Sequence, residues 1–550
     1  MLIKKVSKEA LVFMGIIVIA VFFRFYQLDS LPPGLWPDEA ANGVDALKTL
    51  DQCQGVSTYQ CLKNLKIFYP ANNGREGLFI NIQAFSIKLF GATPFALRVV
   101  SAVLGTLTVI GLYLLTKTIL NWRIASIASF FMAVSFWHVN FSRIGFRAIM
   151  LPLILVWGFY FLWRGLKSGH FREFFITGLI GGIGFYTYFS YRIAPLIGFM
   201  VFASYWNHLA THYSGSKYEN ARNQILRGFA LTMLTVIIIA LPLMVYFYTN
   251  PSEFLKREGR PISVFDQNEP FRELATSVVK TLGMFNFKGD NNLRHNIPGW
   301  PELSLPMGVF FAIGFLRELS HLLSRKKGHF STIHVFLFSW FFIMLLPGFL
   351  STEAPHALRT IGAIPVVMIF AAQGFWWLIE LTYRYHRLTD PHFYADKPTY
   401  NKESRLLVGI TIVVVLVSIN FIEYSRYFRD WAKNPGLKEA FTQKYIDISN
   451  YLIMNVSNMP QYVLVNDGDV LVDEVPNNAQ TIKFLTRTHT QACSLQNNIY
   501  YIRSDQLEKL KFSSNFVLIP LKEEPDFVDR FFLEFGLHPK KTGSFVVYTK

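Results

Sequence analysis

The chain has 550 residues, 51% of them hydrophobic and only 16% charged, with 53 Phe among them. A soluble domain carries about a quarter charged residues, so the apolar excess has to face lipid and a soluble globular protein is excluded. The net charge of +16 sits largely in short connections between apolar stretches, where Lys and Arg orient a chain in a bilayer; no nucleic acid is expected as a partner.

A helix needs about 20 mostly apolar residues to cross the hydrocarbon core. By that rule eleven spans are expected, near residues 10–28, 95–117, 123–140, 148–164, 172–190, 193–210, 227–248, 304–320, 330–350, 360–382 and 405–423. The first follows Lys4, Lys5 and Lys8 and has no small-residue cleavage site at its end, so it reads as a retained helix rather than a signal peptide. If the N-terminus is cytoplasmic, every inner connection is basic, from Lys117 and Arg123 to Arg384, Arg387 and Arg405. An odd number of spans then leaves the C-terminal tail outside.

The outer side carries two long loops, 29–94 and 249–303, and function is expected there because joining helices does not require such lengths. Cys53 and Cys61 lie close together in the first of these loops and are candidates for a disulfide, while Cys493 is far away. From about Tyr424 the composition becomes that of a soluble protein. "YVLVNDG", "TIKFLTRT", "NIYYIR", "NFVLIP" and "SFVVYTK" read as strands and "PDFVDRFFLEFG" as an amphipathic helix. The expected organisation is a membrane domain over 1–425 and a small extracytoplasmic α/β domain over 426–550.

Four polar clusters break the membrane pattern. "LPPGLWPDEAANG" places Asp38 and Glu39 where the first span ends, and a carboxylate at the bilayer edge can serve as a general base. "NNGREGLF" puts Arg75 and Glu76 before a stretch with one apolar side, which could lie along the membrane surface. In "FSRIGFRAIMLP", Arg143 and Arg147 are four residues apart and would share a face if the segment is helical. Arg192 in "YFSYRIAP", and His356 and Arg359 in "STEAPHALRTIGAIP", add cations at the same level. Guanidinium groups suit phosphate oxygens, so the set fits a substrate with a phosphate at the interface and a tail in lipid.

In order and topology, "WPDEA", "GREGLF", "FSRIGFRAIMLP" and "EAPHALRTIGAIP", with the outer-loop stretch "FKGDNNLRHNIPGWPEL", resemble the GT-C superfamily of membrane glycosyltransferases. The resemblance covers about residues 10–425 and is to the bacterial and archaeal members related to protein O-mannosyltransferases and the lipid A aminoarabinose transferase. It implies inverting transfer of a monosaccharide from a polyprenyl- or dolichyl-phosphate donor to a hydroxyl of a protein, lipid or cell-surface glycan, outside the cytoplasm of a bacterium or archaeon. It also implies Asp38 as general base, Glu39 and Glu76 as its acidic partners, and Arg75, Arg143, Arg147, Arg192, His356 and Arg359 as ligands of the lipid phosphate, Arg143 and Arg359 foremost. At "REG" the chain departs from the Lys-Pro-Pro pattern of the aminoarabinose branch, which disfavours that acceptor. No tightly bound cofactor or metal is expected, although acids and phosphate could share a divalent cation. A transporter or flippase for lipid-linked sugars would need similar arginines, but it would also place charges within the spans.

Overall fold

The computed structural model describes residues 7–212, 215–258, 263–323, 332–389, 402–455, 459–467, 471–472, 475–509, 515–524 and 536–549. The chain opens with α1 (Lys8–Phe25), α2 (Pro37–Gln52), α3 (Thr58–Asn64) and a short hairpin of β1 (Phe68–Tyr69) and β2 (Arg75–Glu76). The helical body follows as α4 (Gly77–Phe90), α5 (Pro94–Ile119), α6 (Trp122–Val134), α7 (Phe136–Phe141), α8 (Met150–Ser168), α9 (Phe171–Gly184), α10 (Pro195–His212), α11 (Ser216–Thr249), α12 (Pro251–Glu258) and α13 (Pro270–Gly283). It is completed by α14 (Leu305–Leu323), α15 (Thr332–Phe349), α16 (Ile364–Thr389) and α17 (Lys402–Ser425).

Among the described residues, eight helical segments are long and apolar enough to cross a membrane, and all eight coincide with expected spans. The other three expected spans are helical but different in kind. Residues 10–28 form α1, which carries Lys8, Glu9 and Arg24; 123–140 breaks at Ser135 into α6 and α7; and 172–190 shortens to α9. The count of eleven is therefore not reproduced. On α17, Leu406, Ile410, Val413, Val417 and Phe421 are exposed at helical spacing, which is a lipid-facing stripe rather than a soluble surface. Inside the bundle, α14 and α16 approach closely because Gly314 and Gly374 face one another. A Cβ on Gly314 would lie 1.9 Å from the Phe370 carbonyl oxygen, and one on Gly374 would lie 2.0 Å from that of Phe310.

The tail begins as a continuation of α17 through a wide helical turn over Arg426–Trp431. It comprises α18 (Leu437–Ala440), α19 (Gln443–Met454), β3 (Gln461–Val465), β4 (Leu471–Val472), β5 (Val475–Pro476), α20 (Gln480–Leu485), α21 (Gln491–Gln496), β6 (Ile499–Arg503), β7 (Val517–Pro520), β8 (His538–Thr542) and β9 (Phe545–Thr549). Five strands form one sheet in the order β6-β3-β7-β9-β8, parallel from β6 to β7 and antiparallel at β9 and β8. Val463, Val465, Ile519 and Val547 pack on one face with Ile448, Leu452 and Ile482, while Leu464, Leu518 and Tyr548 fill the other. Four of the expected strands are present.

The fifth, "TIKFLTRT", is not a strand but contains most of α20. Its alternating apolar residues serve two cores: Ile482 enters the tail core and Phe484 packs with α2 and α4. The helix expected in "PDFVDRFFLEFG" lies outside the described residues. Cys53 and Cys61 are joined by a disulfide between α2 and α3, and Cys493 is free.

Candidate active site

The centre of the site is the entry to α2. Trp36 precedes Pro37, whose fixed φ suits the first helical turn, and so the two acids Asp38 and Glu39 project from that turn in different directions. Asp38 is half-buried and lines a cavity of about 250 Å³, together with Asn42, Asn72, Arg75, Arg147 and Tyr188. Its Oδ1 accepts from Asn72 Nδ2 at 2.8 Å and from Asn477 Nδ2 at 3.0 Å, and its Oδ2 accepts from Trp36 Nε1 at 3.2 Å. Three donors from three parts of the chain thus fix one carboxylate.

Glu39 points away from the cavity and is fully buried. It accepts from Arg98 Nε at 3.2 Å and from the Gly145 backbone N–H at 2.7 Å, and Arg98 also donates to the carbonyls of Pro32 and Gly34. Glu39, expected as the acidic partner of Asp38, ties the α2 entry to α5 and to the turn at Gly145. Glu76, also buried, accepts from Arg147 Nε at 3.1 Å.

The arginines divide in the same way. Arg147 borders the cavity with its side chain 20% exposed. Arg75 lines it too, but its guanidinium is bound to Asp45 and donates to Asn42 Oδ1 at 2.8 Å. Arg143 does not reach the cavity. It is buried and donates to the carbonyls of Phe23, Tyr26, Gln27 and Leu31 and to the Tyr427 hydroxyl, closing off the carbonyls at the C-terminal end of α1.

The expected shared face of Arg143 and Arg147 does not form, because α7 ends at Phe141 and the chain turns at Gly145 before the single helical turn at Arg147–Ile149. Arg192 stacks against Phe189, Phe247 and Phe254 at 4.9–5.1 Å and is not among the lining residues. Arg359 is paired with Glu353, while its neighbour Leu358 reaches the cavity.

The stretch "FKGDNNLRHNIPGWPEL" contributes what the sequence reading missed. Arg294 lies with its guanidinium carbon 3.5 Å from the centre of the Trp36 ring, and its Nη1 is buried without a hydrogen-bond partner among the described residues. Burial lowers its pKa, and the charges of Asp38, Asp290 and Glu39 act in the opposite direction. Asn140 Nδ2 holds the loop through the carbonyls of Arg294 and His295, at 2.7 and 3.0 Å.

Beside Arg294, Asp290 Oδ2 is 2.9 Å from His295 Nδ1 and 3.9 Å from His356 Nδ1, so His356 joins an Asp-His-His group instead of standing with the arginines. Burial opposes ionisation of Asp290, yet the hydrogen bond and charge of His295 hold its pKa below the ordinary value. Burial pushes His356 down to about 3, which leaves a neutral imidazole of the kind that binds metals. Among the described residues near the cavity, these three could hold a cation.

Asn72 also escaped the reading. Asn72, Asn73 and Gly74 all have positive φ, and the run Asn-Asn-Gly is itself a signal for such a turn. Asn477 had no such signal, since its partner lies 439 residues away.

Residues 78–216 match the family model described as dolichyl-phosphate-mannose-protein mannosyltransferase. No curated protein matches by sequence. Among solved structures, ArnT from Cupriavidus metallidurans in the apo state is similar with a TM-score of 0.58 at 12% identity, over 99% of this chain and 98% of that one. The same protein bound to undecaprenyl phosphate gives a TM-score of 0.53 at 13% identity over the same shares. The apo oligosaccharyltransferase of Archaeoglobus fulgidus gives 0.52 at 12%, over 90% of this chain and 69% of that one. At such identities the likeness is one of fold, and it extends through the tail. With eight helical segments long and apolar enough to cross a membrane, the chain is a multi-pass membrane protein that shares the fold of ArnT and of the archaeal oligosaccharyltransferase, and its residues 78–216 match the mannosyltransferase family model.

Proposed function

We propose that the chain is an inverting glycosyltransferase that moves a monosaccharide, a hexose by preference, from a polyprenyl- or dolichyl-phosphate carrier to a hydroxyl acceptor on the outer side of the membrane. The observation that carries this reading is Asp38: one carboxylate held by three donors at the wall of a cavity that also receives Arg147. The undecaprenyl phosphate bound by ArnT supports a lipid-phosphate donor.

In the reaction the acceptor oxygen attacks the anomeric carbon, the bond from that carbon to the phosphate oxygen breaks, and Asp38 takes the hydroxyl proton. The lipid phosphate leaves with its negative charge. Arg147, held by Glu76, lies where it can meet that charge, and Arg294 is a second cation near Asp38. Arg75 shapes the wall while Asp45 neutralises it. Arg192, packed against aromatic rings, and Arg359, paired with Glu353, stand outside the cavity lining and are left out of the step. Asn72, Asn477 and Trp36 orient the base, so the tail beyond residue 426 acts as part of the active site and forms its own domain. With the N-terminus cytoplasmic, the cavity and tail face outward, as the basic connections favour.

The test uses the protein in nanodiscs with radiolabelled polyprenyl-phosphate hexoses and a membrane extract as acceptor. Label moving from lipid to a non-lipid or larger product is expected. Donor that binds and crosses the bilayer with its sugar still attached would instead identify a flippase.

A further inference from the structure

Away from the cavity, at the other end of α2, the tail meets the helix a second time. His489 is buried; its Nε2 lies 2.6 Å from Asp51 Oδ2 and its Nδ1 lies 3.2 Å from the Arg487 carbonyl oxygen. A neutral imidazole has a single N–H and cannot donate to both oxygens. With the proton on Nδ1, facing the carbonyl, the Nε2 lone pair points at a carboxylate oxygen. A cation can then take the place that the proton on Nε2 holds when the ring instead donates to Asp51. A ring nitrogen backed by a backbone carbonyl, with its other nitrogen free to coordinate, is the usual posture of a metal-bound histidine.

The third group present is the free thiol of Cys493, on α21. The ligand atoms of Asp51, His489 and Cys493 all lie within 4.8 Å of one another. We infer that Asp51, His489 and Cys493 form a zinc site that fastens the tail to α2. Oxygen, nitrogen and sulfur donors together suit Zn²⁺ over Mg²⁺ or Ca²⁺. Three protein ligands leave the fourth tetrahedral position to water.

Distances of roughly 2.0–2.3 Å from zinc to each ligand place neighbouring ligand atoms roughly 3.3 Å apart. Asp51 and His489 must therefore separate slightly, which the Asp51 side chain, 44% exposed, has room to do. Binding releases the Cys493 proton, so zinc is held more tightly as pH rises. Asp51 belongs to the helix whose first turn carries Asp38, and between them Phe484 packs over Gly43, where a Cβ would lie 2.6 Å from its ring. The ion thus secures the same seat that brings Asn477 to Asp38.

The test substitutes Co²⁺ for Zn²⁺ in the purified full-length protein, because a cobalt–thiolate bond gives a charge-transfer absorption that nitrogen and oxygen ligands do not. Cys53 and Cys61 are in a disulfide and the Asp-His-His group has no sulfur, so the signal reports on Cys493. The wild type should take up Co²⁺ with this band, Zn²⁺ should displace it, and Cys493→Ser should abolish it while losing one metal equivalent. His489→Gln and Asp51→Asn should each weaken binding at least tenfold. Absence of the band in folded wild type at saturating Co²⁺ would overturn the proposal and leave His489 and Asp51 as an ion pair. A band of unchanged affinity in His489→Gln and Asp51→Asn would overturn it equally, as binding to a bare thiol.

Discussion

Asp38 and Glu39 are adjacent and chemically alike, yet the structure gives them opposite surroundings, and substitution should separate them. Glu39→Gln leaves the buried Arg98 without its counter-charge, and breaking such a pair costs about 3–5 kcal/mol; a clear fall in the thermal unfolding midpoint in detergent is expected. The same contrast holds for the arginines. Arg143→Ala orphans the carbonyls at the end of α1, each at a cost of roughly 1–3 kcal/mol, so it should lower stability. Arg147→Gln can keep a hydrogen bond to Glu76 and should instead raise the donor Kd about tenfold or more with the midpoint little changed; equal donor affinity would remove Arg147 from phosphate binding. The sequence could not make these distinctions. A spacing of four suggests a shared helical face, and only the turn at Gly145, held by Glu39, sends Arg143 and Arg147 apart. Glu302 offers a pH test of another kind. It is buried, and its pKa is raised to about 8 from 4.5 chiefly by that burial. Between those values the folded protein keeps a proton that the unfolded chain has released. Its contribution to stability is therefore intact below pH 4.5 and declines as pH rises towards 8, by up to about 1.4 kcal/mol per unit. Glu302→Gln should flatten that part of the stability profile, and an unchanged slope would contradict the assignment.

At the level of elements, long apolar helices were legible because about 20 residues of hydrocarbon leave a signal that no tertiary contact can erase. Segments that bend within the bundle were not. The break between α6 and α7 at Ser135 interrupts a run whose composition alone is continuous, and α20 imitates a strand because its alternating Ile482 and Phe484 serve different cores. The α14–α16 contact gives a prediction at this scale: Gly374→Val forces two backbones apart and should destabilise the bundle by more than 2 kcal/mol, read as a lower unfolding midpoint. A midpoint equal to that of wild type would mean that the helices do not approach as closely as described.

For the whole molecule, the tail is a structural partner of the membrane body rather than an appendage. Gly34 N–H donates to Gln443 Oε1 at 2.7 Å, and Thr442 and Thr481 donate to the Leu35 carbonyl, so the segment before Asp38 is held from both sides. The resemblance was read from short stretches around Asp38, Arg75, Arg147 and His356, of which the one around Arg147 lies within the residues that match the family model. The tail's part in the site was not, because Asn477 reaches Asp38 across nearly the whole chain and carries no local signature. Asn477→Ala should lower kcat with donor affinity intact, and an unaltered kcat would make the contact purely structural. The role of Asp38 as the base is tested by Asp38→Asn, measured for donor binding and for sugar transfer on the same preparation. Donor affinity within about twofold of wild type is expected, with transfer reduced by about 10² or more, the range of a lost general base. Transfer at the wild-type rate in a protein that binds donor normally would contradict it.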